Sequence, residues 1–153
     1  MKEKVENKAG VFFLENKILI QTMFKKNEGV WYGSDKVSII PVEISDFLLG
    51  EFILNSLNNS KHIDTSNEQI KKNWKLVIKK SNVKTEKMFF EKARYMAVVL
   101  NNSILKFSPY RTSVSRRIFA GTPDKNYEFE FNSNIELVGQ RVRYGMSLCE
   151  FIE

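Results

Sequence analysis

His62 is the one histidine among the 153 residues, and Cys149 the one cysteine. A thiol nucleophile needs a base beside it, and a structural metal needs several nitrogen, sulfur or oxygen donors at close spacing. His62 stands in the polar connection Lys61-His62-Ile63-Asp64, with no second ligand at metal-site spacing, so it reads as a surface residue. Cys149 falls on the apolar side of a C-terminal helical pattern and reads as core. Glu128 and Glu130 alternate along Tyr127-Glu128-Phe129-Glu130-Phe131, which puts both on one face of a strand. Paired carboxylates do acid–base work when a pocket drives their pKa values apart, whereas this face reads as solvated. The seven glycines are scattered and form no phosphate cradle. The expectation is therefore a chain with no catalytic residues, no metal, no cofactor and no enzymatic activity.

Charge is the next chemical signal. The net +6 is concentrated: residues 61–95 hold ten basic and four acidic side chains, while residues 1–60 hold seven and eight. Lys71, Lys72, Lys75 and Lys79 fall on one side of a helical pattern there. Such a face attracts nucleic acid or an acidic protein. Arg116, Arg117 and the run Ser108-Pro109-Tyr110-Arg111 place aromatics among cations, as single-strand binders do. Aromatics in strands are more often core, so a small basic RNA- or DNA-binding module is the lesser alternative and nucleic acid the less favoured partner.

The elements that must position these residues read as α+β. Apolar residues make up 42% of the chain, including 12 Phe, enough for one core over residues 1–153. No stretch approaches the roughly 20 apolar residues of a membrane helix. The charged start Met1-Lys2-Glu3-Lys4-Val5-Glu6 lacks the apolar run of a secretory signal. With a lone cysteine, this points to the cytoplasm.

The chain also repeats. Residues 11–20 match residues 97–106 at an offset of 86, and Leu48-Leu49-Gly50 returns as Leu137-Val138-Gly139 at an offset of 89. Two similar strand-rich halves are expected, about 10–60 and 95–150, each of antiparallel β followed by a helix, joined by a helical connector over 61–94. In the first half, residues 10–14 and 17–24 form a hairpin across Glu15-Asn16, with Asn suited to positive φ. Strands follow at Val30–Tyr32 and Val37–Ile40, split by a turn at Gly33-Ser34-Asp35-Lys36. Ser45 caps a helix whose buried stripe is Leu49, Phe52, Ile53 and Leu57. In the connector, Ile70, Trp74, Val77 and Ile78 keep a helical period, which outweighs the β-branched character of Trp74–Ile78, and Thr85 caps a second short helix to Lys92. In the second half, a hairpin turns at Asn101-Asn102, strands follow at 115–120 and 127–131, and Ser133-Asn134-Ile135-Glu136 is a capping box. Gly50 and Gly139, each inside a helix, imply a close helix–sheet approach.

Each half thus carries a sheet, an apolar residue before Gly, and a helix ending ten residues later in a small residue: Leu49-Gly50 to Ser60, and Val138-Gly139 to Cys149. With the spacer helix bearing Trp74, this pattern resembles immunity proteins of contact-dependent growth inhibition systems, over most of residues 10–150. The resemblance implies a binder of a cognate toxin C-terminal domain, often a nuclease, neutralised by covering its active site or substrate surface. Toxin-contacting residues vary among such proteins, so none transfers by motif. For a basic toxin the candidates are Glu28, Trp31, Asp35, Asp46, Glu128 and Glu130; for an acidic one, the face of Lys71, Lys72, Lys75 and Lys79.

Overall fold

The computed structural model describes residues 6–152; the charged run before Glu6 lies outside them. Strands β1 (Glu6–Phe13), β2 (Lys17–Lys25) and β3 (Trp31–Pro41) lead into helix α1 (Asp46–Asn58). Helices α2 (Asn67–Ser81) and α3 (Glu86–Lys92) follow, then β4 (Arg94–Asn101), β5 (Ile104–Ser113) and β6 (Ile118–Gly121). A 3₁₀ turn (Pro123–Lys125), β7 (Tyr127–Glu130), α4 (Ile135–Leu148) and β8 (Glu150–Ile152) complete the chain. The sheet runs β3-β2-β1-β4-β5-β6, with β7 and β8 also on β5 and only β8 parallel to it.

Helices cover both faces of the sheet. On one face α1 and α4 supply Leu49, Ile53, Leu57, Val138 and Val142 to a core with Val11, Phe13, Ile18, Ile20, Met96, Val98, Leu105 and Phe107. On the other, α2 and α3 bring Val77 and Phe89 onto Phe12, Leu14 and Leu19. Burial on both faces explains why β1 and β2 are continuous apolar runs instead of alternating ones.

The register of the two sheet halves differs from the offset in the sequence. Val11, Ile18 and Ile20 share the α1/α4 face with Val98, Leu105 and Phe107, each 87 residues on. At 86, Val11 would match Ala97, which points to the opposite face, because one residue of slip inverts every side chain. The two-residue turns agree with 87: Glu15-Asn16 lies between Leu14 and Lys17, and Asn102-Ser103 between Asn101 and Ile104. The second turn thus sits one residue later than expected, and Asn102, not Asn16, takes the positive φ (56°). The small residues that end the helices follow the same rule. Ser60 Oγ accepts from Lys8 N and donates to Met23 O (3.2 and 2.7 Å). Cys149 lies against the backbone of Tyr95 and Tyr110, 87 residues beyond Lys8 and Met23.

Four other expectations change. Gly33–Lys36 is not a turn: β3 is continuous, and its register against β2 shifts between Gln21 and Met23. Gln21 folds into this irregularity and donates to Ser34 O (2.9 Å), in the space a Cβ on Gly33 would fill. Phe52 leaves the buried stripe and is exposed, while Ser56 takes the inward position instead. The cap of α4 is Asn134, accepting from Leu137 N, because Ser133 sits at φ 78°. Finally, Gly50 and Gly139 mark a helix–helix approach. A Cβ on Gly50 would run into the Ile135 carbonyl at the start of α4, and one on Gly139 into the Asp46 carbonyl at the start of α1. It is Gly145 that meets the sheet side, at Met96 and the Tyr127 hydroxyl.

Arg143 ties this crossing to the chain entering α1. Its Nε donates to Asp46 Oδ1 (2.7 Å), and its other nitrogens donate to the carbonyls of Val42 (2.9 Å) and Ile44. Arg143→Ala leaves two partly buried carbonyls without a donor and should cost about 1.5–2 kcal/mol in urea denaturation. Arg143→Lys should recover less than half of that, since a point charge cannot reproduce the planar fork.

Candidate interaction surfaces

Of the acidic candidates, the structure brings Glu28 to Trp31 and scatters the rest. The β2–β3 turn closes with Gly29 at φ +85° and Lys26 N donating to Val30 O (2.8 Å). The segment after α1 docks alongside, with Lys25 N on Lys61 O (2.9 Å) and Ile63 N on Lys25 O (3.0 Å). These contacts form an open cleft of about 620 Å³ lined by Glu28, Trp31, Lys25, Lys61 and His62. Lys25 Nζ lies 5.5 Å from the Trp31 ring centre. His62 Nε2 is 3.1 Å from Lys26 O at the exposed surface. Asp35 sits on the β3 irregularity, at a separate cleft with Lys36, Asn55 and Lys80. Asp46 is committed to Arg143. Glu128 and Glu130 point outward from β7, pairing with β5 at Lys106 and Ile104.

The lysine candidates form one surface. Val77 turns inward with Asn73, whose side chain donates to Gly33 O (2.9 Å) and fixes α2 along β3. That leaves Lys71, Lys75 and Lys79 outward at successive turns, with Lys72 adjacent and all four exposed. Among the described residues, none of the four forms an ion pair. Like charges four residues apart destabilise a helix by roughly 0.2–0.5 kcal/mol per pair. Asn82, in the left-handed conformation at φ 61°, ends α2 and swings Val83 and Lys84 back beside it. A shallow groove of about 560 Å³ results, lined by Trp74, Ile78 and Val83 with Lys75, Lys79 and Lys84 at its rim. Sequence reasoning found the ladder and missed Lys84; the Asn after the last helical turn was the available signal, since Asn is a frequent left-handed cap.

Trp74 joins the groove to the aromatic core beneath it. Its ring is packed against Phe12, Phe89 and Phe90 (centroids 6.1, 5.4 and 5.8 Å apart), and its Nε1 donates to Glu86 Oε2 (3.0 Å). Tyr95 and Phe119, near the second set of arginines, join the same aromatic cluster. Cys149 is buried, its thiol pushed up by burial and donating to Tyr95 O (3.3 Å), which makes it a packing residue. Among the described residues, no group of three or more His, Cys, Asp or Glu converges to hold a metal. No helix among them is long and apolar enough to cross a membrane.

The model of the CDI immunity protein family (CdiI) matches residues 7–149. The chain belongs to that family. The match takes in β1 to α4 of this CdiI-family protein and stops just before β8. A solved Neisseria meningitidis structure, described as a protein of unknown function (NMB0488), superimposes with TM-score 0.84 at 19% identity. It covers 97% of this chain and 98% of its own. A CdiA-CT/CdiI toxin and immunity complex from Yersinia pseudotuberculosis gives TM-score 0.81 at 16% identity, with coverage of 96% and 99%. At such identities the likeness is one of fold. No curated protein matches the chain significantly.

Proposed function

We propose that this chain is the immunity partner of a contact-dependent growth inhibition toxin. It binds the cognate C-terminal toxin domain, a nuclease, in the cytoplasm and covers its active site or substrate surface. The observation that carries this reading is the family match over residues 7–149, which takes in all four helices. The Yersinia pseudotuberculosis structure, solved as a toxin and immunity complex, supports the same role for a protein of this fold. The architecture suits a stoichiometric plug: one sheet buried by helices on both faces, with polar and charged surface left for a partner. A standard interface takes roughly 800 Å² from each partner. That is about a tenth of this chain's 8894 Å², so one of the surfaces described above, not all of them, meets the toxin.

The test is co-expression and titration. Cells making the toxin domain from the same locus should stop growing, and cells that also make this chain should grow. In vitro, nuclease activity should fall linearly and reach background at one equivalent of immunity protein, with a 1:1 complex on size exclusion. Protection without a complex, or residual activity at a large excess, would overturn the reading.

A further inference from the structure

We infer that this chain is a two-fold dimer fused into one polypeptide, and that the surface joining its halves also takes the matching half of a second copy of the chain, with the turn between α2 and α3 as hinge. This exchange is independent of toxin binding. The central ladder has the symmetry of a dimer. β1 and β4 pair with Gly10 opposite Ala97, Ala9 opposite Val98 and Val11 opposite Met96. The hairpin turns set the offset between these strands at 87, which makes Ala97 the counterpart of Gly10, Val98 of Val11 and Met96 of Ala9. Each residue therefore faces the counterpart of the one equally far beyond Gly10. That places a two-fold axis through the Gly10–Ala97 pair.

The helices obey the same axis. Gly50 packs against the Ile135 carbonyl and Gly139 against the Asp46 carbonyl. At the helix offset of 89, Ile135 is the counterpart of Asp46 and Gly139 of Gly50, so this is one contact made twice. The outer strands follow. Met23 lies opposite Gly33 and Ile18 opposite Ile40, and their counterparts pair as Tyr110 with Gly121 and Leu105 with Phe129. β6 and β7 together thus answer to β3, and the 3₁₀ turn between them falls where β3 has its register shift. An interface in which one residue meets another's counterpart, and the reverse, is isologous, the kind that joins two copies of a chain. The half seated on it here shows what the surface accepts: the same half of a second copy makes every one of these contacts.

The chain crosses between its halves through α2 and α3. Val77 of α2 and Phe89 of α3 share one cluster, yet only residues 82–85 connect the two helices. Asn82 turns the chain back at φ 61°, a left-handed conformation that strains a β-branched residue. Without that turn, α2 and α3 run on as one helix of roughly 39 Å over residues 67–92. Such a helix carries β4 out of reach of its own β1, so α3 and the second half pair with another copy instead. Short loops under strain invite this exchange.

The experiment refolds the full chain from urea at about 1 µM and at about 1 mM, dilutes both samples to the lower concentration and reads mass by sedimentation velocity. The dilute sample should be monomeric. The concentrated one should contain a dimer with native circular dichroism that survives dilution for hours and reverts to monomer only after unfolding and dilute refolding. Asn82→Ile should raise the dimer-to-monomer ratio at least about tenfold, while Asn82→Gly, which keeps the left-handed turn, should match wild type. A wild-type chain that is monomeric from both refoldings overturns the exchange. A dimer that falls apart within minutes of dilution is a contact between folded surfaces and overturns it too. A folded Asn82→Ile with the ratio of Asn82→Gly overturns the hinge; if that variant does not fold, the two wild-type refoldings decide.

Discussion

Gly139→Ala is expected to destabilise the chain by about 3 kcal/mol, although the same change on an open helix stabilises by about 1 kcal/mol. The new methyl group is directed at the Asp46 carbonyl and its attached backbone. No side-chain rotation can clear it, so the two helices must separate. In each helix the carbonyl at risk is also the intrahelical acceptor for the glycine four residues on: Asp46 for Gly50, and Ile135 for Gly139. The four residues therefore form a single reciprocal contact. Once the helices have parted for one methyl, the second finds room, so Gly50→Ala/Gly139→Ala should cost at least 1 kcal/mol less than the sum of the single changes. Gly121→Ala is the control, because a Cβ there meets nothing within 4 Å. For a chain of this size the single change corresponds to a melting-temperature loss of roughly 6–12 °C. Gly139→Ala as stable as wild type, or additive costs in the double variant, would show that the crossing relaxes freely and that the glycines are incidental.

The crossing also shows what the sequence makes legible and what it hides. Two helical glycines at equivalent places signalled a close approach, since glycine inside a helix needs a reason. The partner was out of reach, because periodicity places a residue on a face without naming what packs there. Helix caps at Ser45 and Thr85 read correctly because a single side chain makes the bond, to Leu48 N and Met88 N. The Ser133 cap slipped by one because Asn134 is an equally good cap and only the backbone decides between them. The two crossing helices keep the offset of 89, from the caps Ser45 and Asn134 through Gly50 and Gly139. In the strands, apolar residues on both faces make 86 and 87 look alike, and the turn positions settle the register. The β3 irregularity looked like a turn because Gly-Ser-Asp-Lys is turn composition. Its strand character comes from Gln21, twelve residues earlier, filling the space over Gly33. The lysine face could be read because its spacing is local. The groove beside it could not, since Lys84 joins it only through the left-handed turn at Asn82.

Phe89→Ala is expected to remove about 3–5 kcal/mol, and to do so unevenly. Phe89 is fully buried between Phe12, Trp74 and Phe90, with centroids 5.6, 5.4 and 6.0 Å away. Among the described residues, its cluster on the α2/α3 face has six buried members against sixteen on the α1/α4 face. A cavity in the smaller cluster loosens α2 and α3 while the larger core still holds the sheet and the crossed helices, so opening becomes local before it becomes global. In a Trp31→Phe background, where Trp74 is the remaining tryptophan, its fluorescence should change at lower urea than the far-ultraviolet circular dichroism. The unmutated background should show coincident transitions. Phe107→Ala, which opens a cavity on the other face, should lower both transitions together. Coincident probes in Phe89→Ala would mean that the two cores fold as one unit, and that the groove is no more labile than the rest of the sheet.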